Sequence, residues 1–111
     1  MRFYGIPSED RAFEIVKRIE GGEWVFEDIK EGSRALLGPE EVKAKLEELL
    51  KEVTSWRESL AIMLRGTVFV FVHEPSQPKA FKIYDPSSLG CSTELTPPRW
   101  KVYIRELDGE V

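Results

Sequence analysis

A long apolar stripe at helical spacing is the feature that most limits what this chain can fold into. It lies between Pro39 and Leu64, and consists of Val42, Leu46, Leu49, Leu50, Val53, Trp56, Leu60 and Leu64. Steps of three and four residues place such side chains on one face of an α-helix. A helix with this face must bury it against a second layer of structure. The sequence therefore predicts a helix over residues 39–64 that packs on another layer.

The start of this helix is well marked, whereas its middle allows two interpretations. Gly38-Pro39 precedes two glutamates, and proline at the first helical position with acids behind it is typical of a helix start. Ser55 and Glu58 have the spacing of a capping box, which would begin a second helix near Thr54. One continuous helix would be about 39 Å long, so it would either project from the domain or bend near Thr54.

A shorter helix is predicted over residues 8–20. Ser8 can cap the free amides at its start, and the two acids that follow suit the positive end of the helix dipole. The apolar residues Ala12, Phe13, Ile15, Val16 and Ile19 form one face. The glycine pair 21–22 can end the helix through a left-handed residue.

Six segments are predicted as strands, five of them because they are rich in β-branched and aromatic residues and the segment 33–37 because a turn at Gly32 precedes it. They are residues 2–6, 24–29, 33–37, 67–73, 80–84 and 100–107. The segment 67–73 is apolar on both of its faces, which indicates a strand in the interior of a sheet.

The predicted order β-α-β-β-α-β-β-β indicates the α+β class. We expect both helices on one face of a mostly antiparallel sheet of five to six strands. The first six elements follow the chain order of a ferredoxin-like fold, and a β-meander follows at the C-terminal side. A length of 111 residues predicts a single domain over residues 1–111.

Composition excludes several classes of protein. The net charge of −4 gives no general attraction to phosphate or to anionic lipid. No apolar run reaches the length of a membrane span, and the N-terminal residues do not resemble a signal peptide. Cys91 is the only cysteine, so no intramolecular disulfide can form, and a cytoplasmic location is predicted. The chain has no asparagine and many glutamates and lysines, which is typical of thermophilic proteins.

Residues 65–72 partly resemble the RNA-binding strand of RNA-recognition-motif domains. Four of the seven specified positions of that motif match. The matching residues are Arg65, Gly66, Phe69 and Val70. Thr67 and Val72 replace aromatic residues that would stack on bases, and the segment follows the second helix instead of preceding it. The segment therefore predicts a buried strand in preference to a nucleic-acid site.

A second group of residues suggests a small-ligand or hydrolytic site. His73, Glu74 and Asp85 flank the predicted hairpin, and a histidine beside a carboxylate can act in acid–base chemistry or bind a metal. Cys91 would be a nucleophile if His73 came within reach. No zinc spacing, phosphate loop or dinucleotide motif occurs, so no metal or cofactor is predicted.

The segment 85–99 carries the leading functional hypothesis. A connection of this length without predicted structure is uncommon in a compact domain, and such segments often have a function. The sequence predicts a non-enzymatic protein-binding module of the inhibitor, antitoxin, immunity-protein or assembly-factor type. Trp24, Leu89, Leu95 and Arg99 are the expected contact residues, with Trp24 as the tryptophan expected to be exposed. A homodimer through the long helix or a sheet edge is compatible with this hypothesis. The small-ligand or hydrolytic site is the alternative, and nucleic-acid binding on a sheet face comes third.

Overall fold

The computed structural model describes residues 1–60, 66–86 and 97–111. In these ranges the elements are β1 Phe3–Ile6, α1 Glu9–Val16, β2 Trp24–Asp28, β3 Ser33–Leu37, α2 Pro39–Ser59, β4 Val70–His73, β5 Ala80–Ile83 and β6 Trp100–Ile104. A single turn of 3-10 helix, Arg105–Leu107, follows β6. The predicted α+β class and element order are confirmed.

All six strands form one antiparallel sheet in the order β1-β4-β5-β6-β2-β3. The predicted meander β4-β5-β6 occupies the centre of this sheet. Strand β1 lies at one edge, and the β2–β3 hairpin forms the other side. As a result, within the described residues the hairpin is joined to the rest of the sheet only by the pairing between β2 and β6.

Both helices pack on the same face of the sheet and enclose the main core. Its largest fully buried side chains include Trp24, Phe69, Phe81, Ile15, Leu46 and Leu50. Burial of each large apolar side chain contributes about 1.5–3 kcal/mol of transfer free energy. The apolar stripe of α2 and the apolar face of α1 are therefore both buried against one face of the sheet, as the helical spacing of their apolar residues predicts.

Helix α1 is shorter than predicted and ends at Val16 instead of residue 20. Ser8 caps its start as expected, since its hydroxyl accepts a bond from the Arg11 N–H at 3.5 Å. After Val16 the chain forms tighter turns, because the N–H groups of Arg18 and Ile19 donate to carbonyls only three residues earlier in the sequence. Gly22 has a φ of 87° in the turn that leads to β2, a conformation that glycine adopts without strain.

Helix α2 is continuous through Thr54, so the interpretation as one helix is correct and the one with a second helix from Thr54 is not. The Thr54 hydroxyl donates to the Leu50 carbonyl at 2.9 Å and is thus satisfied inside the helix. At the start, the Glu41 carboxylate accepts the Gly38 N–H at 3.3 Å, which supports the predicted first turn. The helix ends at Ser59. Residues 61–64 of the predicted helix lie outside the described residues.

Two predicted strands are each three residues too long. Strand β4 begins at Val70 instead of Thr67, and β6 ends at Ile104 because Arg105–Leu107 turns into a 3-10 helix.

In the part of the chain that the structure describes, no helix carries an apolar run that could cross a lipid bilayer.

Candidate functional site on the open sheet face

The sheet face opposite the helices, here called the open face, carries two rows of side chains that cross all six strands. From β1 to β3 the first row is Phe3, His73, Ala80, Tyr103, Val25 and Leu36. The second row is Gly5, Phe71, Lys82, Lys101, Glu27 and Arg34. Aromatic and charged residues are thus mixed on a surface that the helices do not cover.

The C-terminal segment, residues 105–111, covers part of this face over β6 and β2. Leu107 and Val111 pack against a second small core formed by Val25, Ala80 and Tyr103. Lys101 Nζ donates to the main-chain oxygen of Val111 at 3.0 Å, which holds the end of the segment to the centre of the sheet. This part of the open face is therefore closed by the chain itself.

An ion pair and a phenol hold the middle of this segment. The guanidinium of Arg34 binds both carboxylate oxygens of Asp108, and the Tyr103 hydroxyl donates to the same carboxylate at 3.2 Å. The hydrogen bonds from Arg34 keep the pKa of Asp108 below its usual range, and the bond from Tyr103 acts in the same direction. Burial, with the nearby Glu27 charge, raises the pKa of the Tyr103 phenol. The phenol therefore stays protonated and donates at any physiological pH.

We expect Asp108→Asn to remove an acid-sensitive part of the stability. A carboxyl group whose pKa is lower in the folded state stabilises the fold above its unfolded pKa, and the effect is lost as the pH falls through the folded pKa. The Tm of the variant should thus lie below that of the wild type at about pH 6, and the two should converge only at a pH well below about 4, the ordinary pKa of the carboxyl group. Thermal unfolding followed by circular dichroism measures both curves. A gap of equal size at both pH values would show that the Asp108 charge is not its cause.

The other part of the open face carries a compact group of residues on β1, β4 and β5. Phe3, Phe71, Lys82 and Tyr84, here called the sheet-face patch, are all partly exposed. The rings of Phe71 and Tyr84 meet edge to face with centroids 5.5 Å apart. Lys82 Nζ lies 4.5 Å from the centroid of the Phe3 ring, a cation–π contact. Glycine at position 5 leaves room for the Phe71 ring, which a side chain there would meet at 3.2 Å.

Lys82 is the cation of this patch that lacks an anionic partner. It forms no ion pair with any residue that the structure describes. Burial lowers its pKa, and the positive charge of Lys101, its register partner on β6, lowers it further. Lys82 and Lys101 thus place two positively charged side chains opposite each other on the open face, although the chain as a whole is acidic.

The expected exposure of Trp24 is wrong. Its side chain is 1% exposed, and its indole Nε1 donates to the Gly21 carbonyl at 2.9 Å. The glycine pair before it made an exposed position plausible. However, the phase of β2 points Trp24 to the helix face, where its ring centroid lies 6.4 Å from that of Phe81.

The other predicted contact residues have different outcomes. Arg99 is partly exposed, stacks over the Trp100 ring at 4.7 Å and lies 3.6 Å from the Asp85 carboxylate. Its main-chain N–H donates to the Ile83 carbonyl at 2.8 Å, which places it at the border of the sheet-face patch, beside Tyr84. Leu89 and Leu95 lie outside the described residues. A contact role for Arg99 stays a prediction.

The structure separates two residues of the predicted hydrolytic site, His73 and Asp85. His73 lies at the turn end of the β4–β5 hairpin, whereas Asp85 follows the opposite end of β5. At ~3.4 Å per residue the two positions are roughly 17 Å apart along the strands. The His73 ring nitrogen Nδ1 contacts the Arg2 carbonyl at 2.8 Å, and Nε2 lies 3.9 Å from Glu74. Cys91 lies outside the described residues.

Metal binding finds no support in the described part of the chain, where no group of three or more histidine, cysteine or acidic side chains is close enough to hold an ion. One recess lies at the end of α1, beside Gly22, Trp24 and Lys79. Another lies at the start of α1, beside Ser8, Glu9 and Arg57. Neither His73 nor Asp85 lines either recess.

Sequence reasoning missed the sheet-face patch as a unit. The alternation in residues 67–73 did put Phe71 and His73 on one side of a strand. The alternation could not predict the strand register, which sets Phe71 opposite both Gly5 and Lys82. A lysine in a strand facing an aromatic residue across a predicted hairpin was the available signal.

The fold and this face together define a small α+β protein with two helices on one side of a six-stranded sheet and a partly covered opposite side. An "Uncharacterized protein" of Aquifex aeolicus (strain VF5) is 50% identical over 110 residues, which is 99% of this chain and 89% of that protein. The chain belongs to the same family as that protein. No protein-family model and no solved structure matches the chain.

Proposed function

We propose that the protein is a non-enzymatic binding module that recognises another protein through the sheet-face patch. The observation that carries this proposal is Lys82, a partly buried cation among aromatic rings that forms no ion pair within the described residues. Aromatic residues are enriched in the centres of protein interfaces, where a few well-packed side chains supply most of the binding energy. Lys82 would select a partner that places a carboxylate among apolar groups.

A protein partner fits this surface better than a nucleic acid does. Nucleic-acid binding draws its affinity from several phosphate contacts. The other two cations of the second row are engaged, because Lys101 binds the Val111 oxygen and Arg34 binds Asp108. The net charge of −4 adds repulsion at long range. One unpaired lysine beside three rings matches a single acidic side chain within an apolar segment.

The proposal is tested by reversing the charge of Lys82. Tagged wild-type protein and Lys82→Glu are used to capture proteins from a lysate of the native host after nuclease treatment, with quantitative mass spectrometry as the readout. A carboxylate in the patch should repel the acidic partner, so recovery of that protein should fall at least tenfold. This corresponds to about 1.4 kcal/mol or more of binding free energy.

Lys51→Glu is the matched control because Lys51 is an exposed residue of α2, and the helices lie on the other side of the sheet. This variant carries the same change of charge and should capture the partner as the wild type does. Equal recovery by all three proteins would contradict the proposal. Recovery only from a parallel lysate without nuclease treatment, with direct binding of a single-stranded oligonucleotide at low salt, would instead favour nucleic-acid binding.

A further inference from the structure

We infer that the partner adds an extended segment to the outer edge of β1 and places a carboxylate over the sheet-face patch, beside Lys82. This inference rests on the proposed function, because it states how the same patch is occupied. Strand addition draws affinity from main-chain hydrogen bonds and specificity from alternate side chains.

The hydrogen-bonding pattern of the sheet shows which main-chain N–H and C=O groups of β1 point out of the sheet. The Tyr84 N–H donates to the Phe69 carbonyl at 2.8 Å, next to the pairing of β4 with β5. Because main-chain groups alternate in direction along a strand, the odd-numbered residues of β4 direct their N–H and C=O groups toward β5. Val70 and Val72 therefore turn theirs toward β1, where their register partners are Ile6 and Tyr4.

By the same alternation, Phe3 and Gly5 direct their N–H and C=O groups away from β4 and out of the sheet. No strand of the described residues pairs with this side of β1. A strand edge of this kind is a template for pairing with another chain.

Exposed apolar side chains mark the same edge. Among the described residues, three large hydrophobic side chains are exposed, and two of them, Met1 at 56% and Tyr4 at 46%, lie on or beside β1. The third, Leu36 at 57%, lies on β3 at the other edge of the sheet. The β3 edge is bordered by Arg34, which already binds Asp108 of the C-terminal segment. The β1 edge is instead continuous with the patch, because Phe3 belongs to both.

Charge complementarity with Lys82 indicates which side chains the added segment should carry. A strand beside β1 would alternate its side chains between the two sheet faces, so every second residue would lean over the open face next to Phe3 or Gly5. Lys82 crosses the sheet to the Phe3 ring, which brings its ammonium group toward this edge. The fitting occupant is therefore an extended protein segment with an acidic residue on the open-face side and apolar residues around it.

A blocked pentapeptide, acetyl-Val-Glu-Val-Glu-Val-amide, serves as the probe, and its counterpart with glutamine for glutamate is the neutral control. The full-length protein labelled with ¹⁵N is titrated with each peptide, and amide shifts and hydrogen exchange are recorded by NMR. We expect the Phe3 and Gly5 amides to shift and become protected, whereas those of Tyr4 and Ile6 are already protected by β4. The acidic peptide should bind roughly tenfold more tightly than the neutral one, the scale of one charge-assisted hydrogen bond.

Lys82→Met keeps an apolar chain against the Phe3 ring but removes the charge, and it should abolish the preference for glutamate. Lys51→Met should leave the preference unchanged. The inference is overturned by no binding at millimolar peptide, by equal binding of the two peptides, or by protection of Arg34 and Leu36 at the β3 edge instead. If capture from lysate depends on Lys82 while the Phe3 and Gly5 amides stay unprotected, the sheet-face patch is used without strand addition.

Discussion

Trp24→Ala is expected to lower the free energy of unfolding by about 4 kcal/mol, the usual cost of truncating a large aromatic side chain in a core. Trp24 is fully buried, contacts Phe81 and donates its indole N–H to Gly21. The substitution removes the apolar contacts and leaves a cavity between the sheet and the helices. Urea unfolding followed by far-UV circular dichroism gives the free energy of unfolding directly.

Trp24→Phe is the matched variant because it retains most of the ring but loses the indole N–H. Its cost should be about 1–2 kcal/mol, which combines lost volume with an unpaired Gly21 carbonyl. A Trp24→Ala protein as stable as the wild type would place this residue outside the core and restore it as a candidate contact residue. Reduced partner capture by this variant has meaning only after its fold has been verified.

Glu9→Ala should be the second most damaging substitution, with an expected cost of about 3 kcal/mol. Glu9 is 8% exposed and forms a two-pronged ion pair with Arg57, at 2.5 Å from Nε and 3.0 Å from Nη2. The pair joins the first turn of α1 to the end of α2. Removal of the carboxylate leaves a partly buried guanidinium, whose charge then has to be solvated inside the recess at the start of α1.

Asp10→Ala is the control, because Asp10 lies in the same first turn of α1 and is exposed. It loses only a favourable position at the helix dipole, which is worth about 0.3–1 kcal/mol. The double variant Glu9→Ala/Arg57→Met should recover part of the stability lost in Glu9→Ala, because the guanidinium that Glu9 neutralises is removed as well. Equal unfolding free energies for Glu9→Ala and Asp10→Ala would contradict the assigned role of the pair.

The identity of most helices and strands could be predicted from local patterns, whereas the neighbours of each strand could not. The turn at Gly32 indicated the strand over residues 33–37 and the helical stripe indicated α2, because these signals are present in a few adjacent residues. Nothing in the sequence of β6 indicates that it pairs with β2 as well as β5. That pairing depends on which sheet faces the two helices can cover together, which is a property of the whole chain.

The candidate site was less predictable than the fold for the same reason. Phe3 and Lys82 are far apart in sequence, and only the β1–β4–β5 pairing brings the lysine over the ring. The error at Trp24 has a local cause, since a glycine pair indicates a turn but not the phase of the strand after it. The expected proximity of His73 and Asp85 is wrong because residues close to a hairpin in sequence can lie at its opposite ends. The role of Cys91 stays a prediction.

The position of β6 between β5 and β2 also sets the order in which the protein can be completed during synthesis. The β2–β3 hairpin can pair as soon as the ribosome has released it, and β1, β4 and β5 can assemble once β5 has emerged. Among the described strands, these two parts are joined by pairing only when Trp100–Ile104 inserts between them. Sheets closed by such distant pairings fold slowly compared with helical proteins of equal size. Before β6 has left the ribosome, the nascent chain thus exposes two further unpaired strand edges, on β5 and β2. The late stage of translation is therefore the time at which the chain is most exposed to wrong strand pairing and to chaperones.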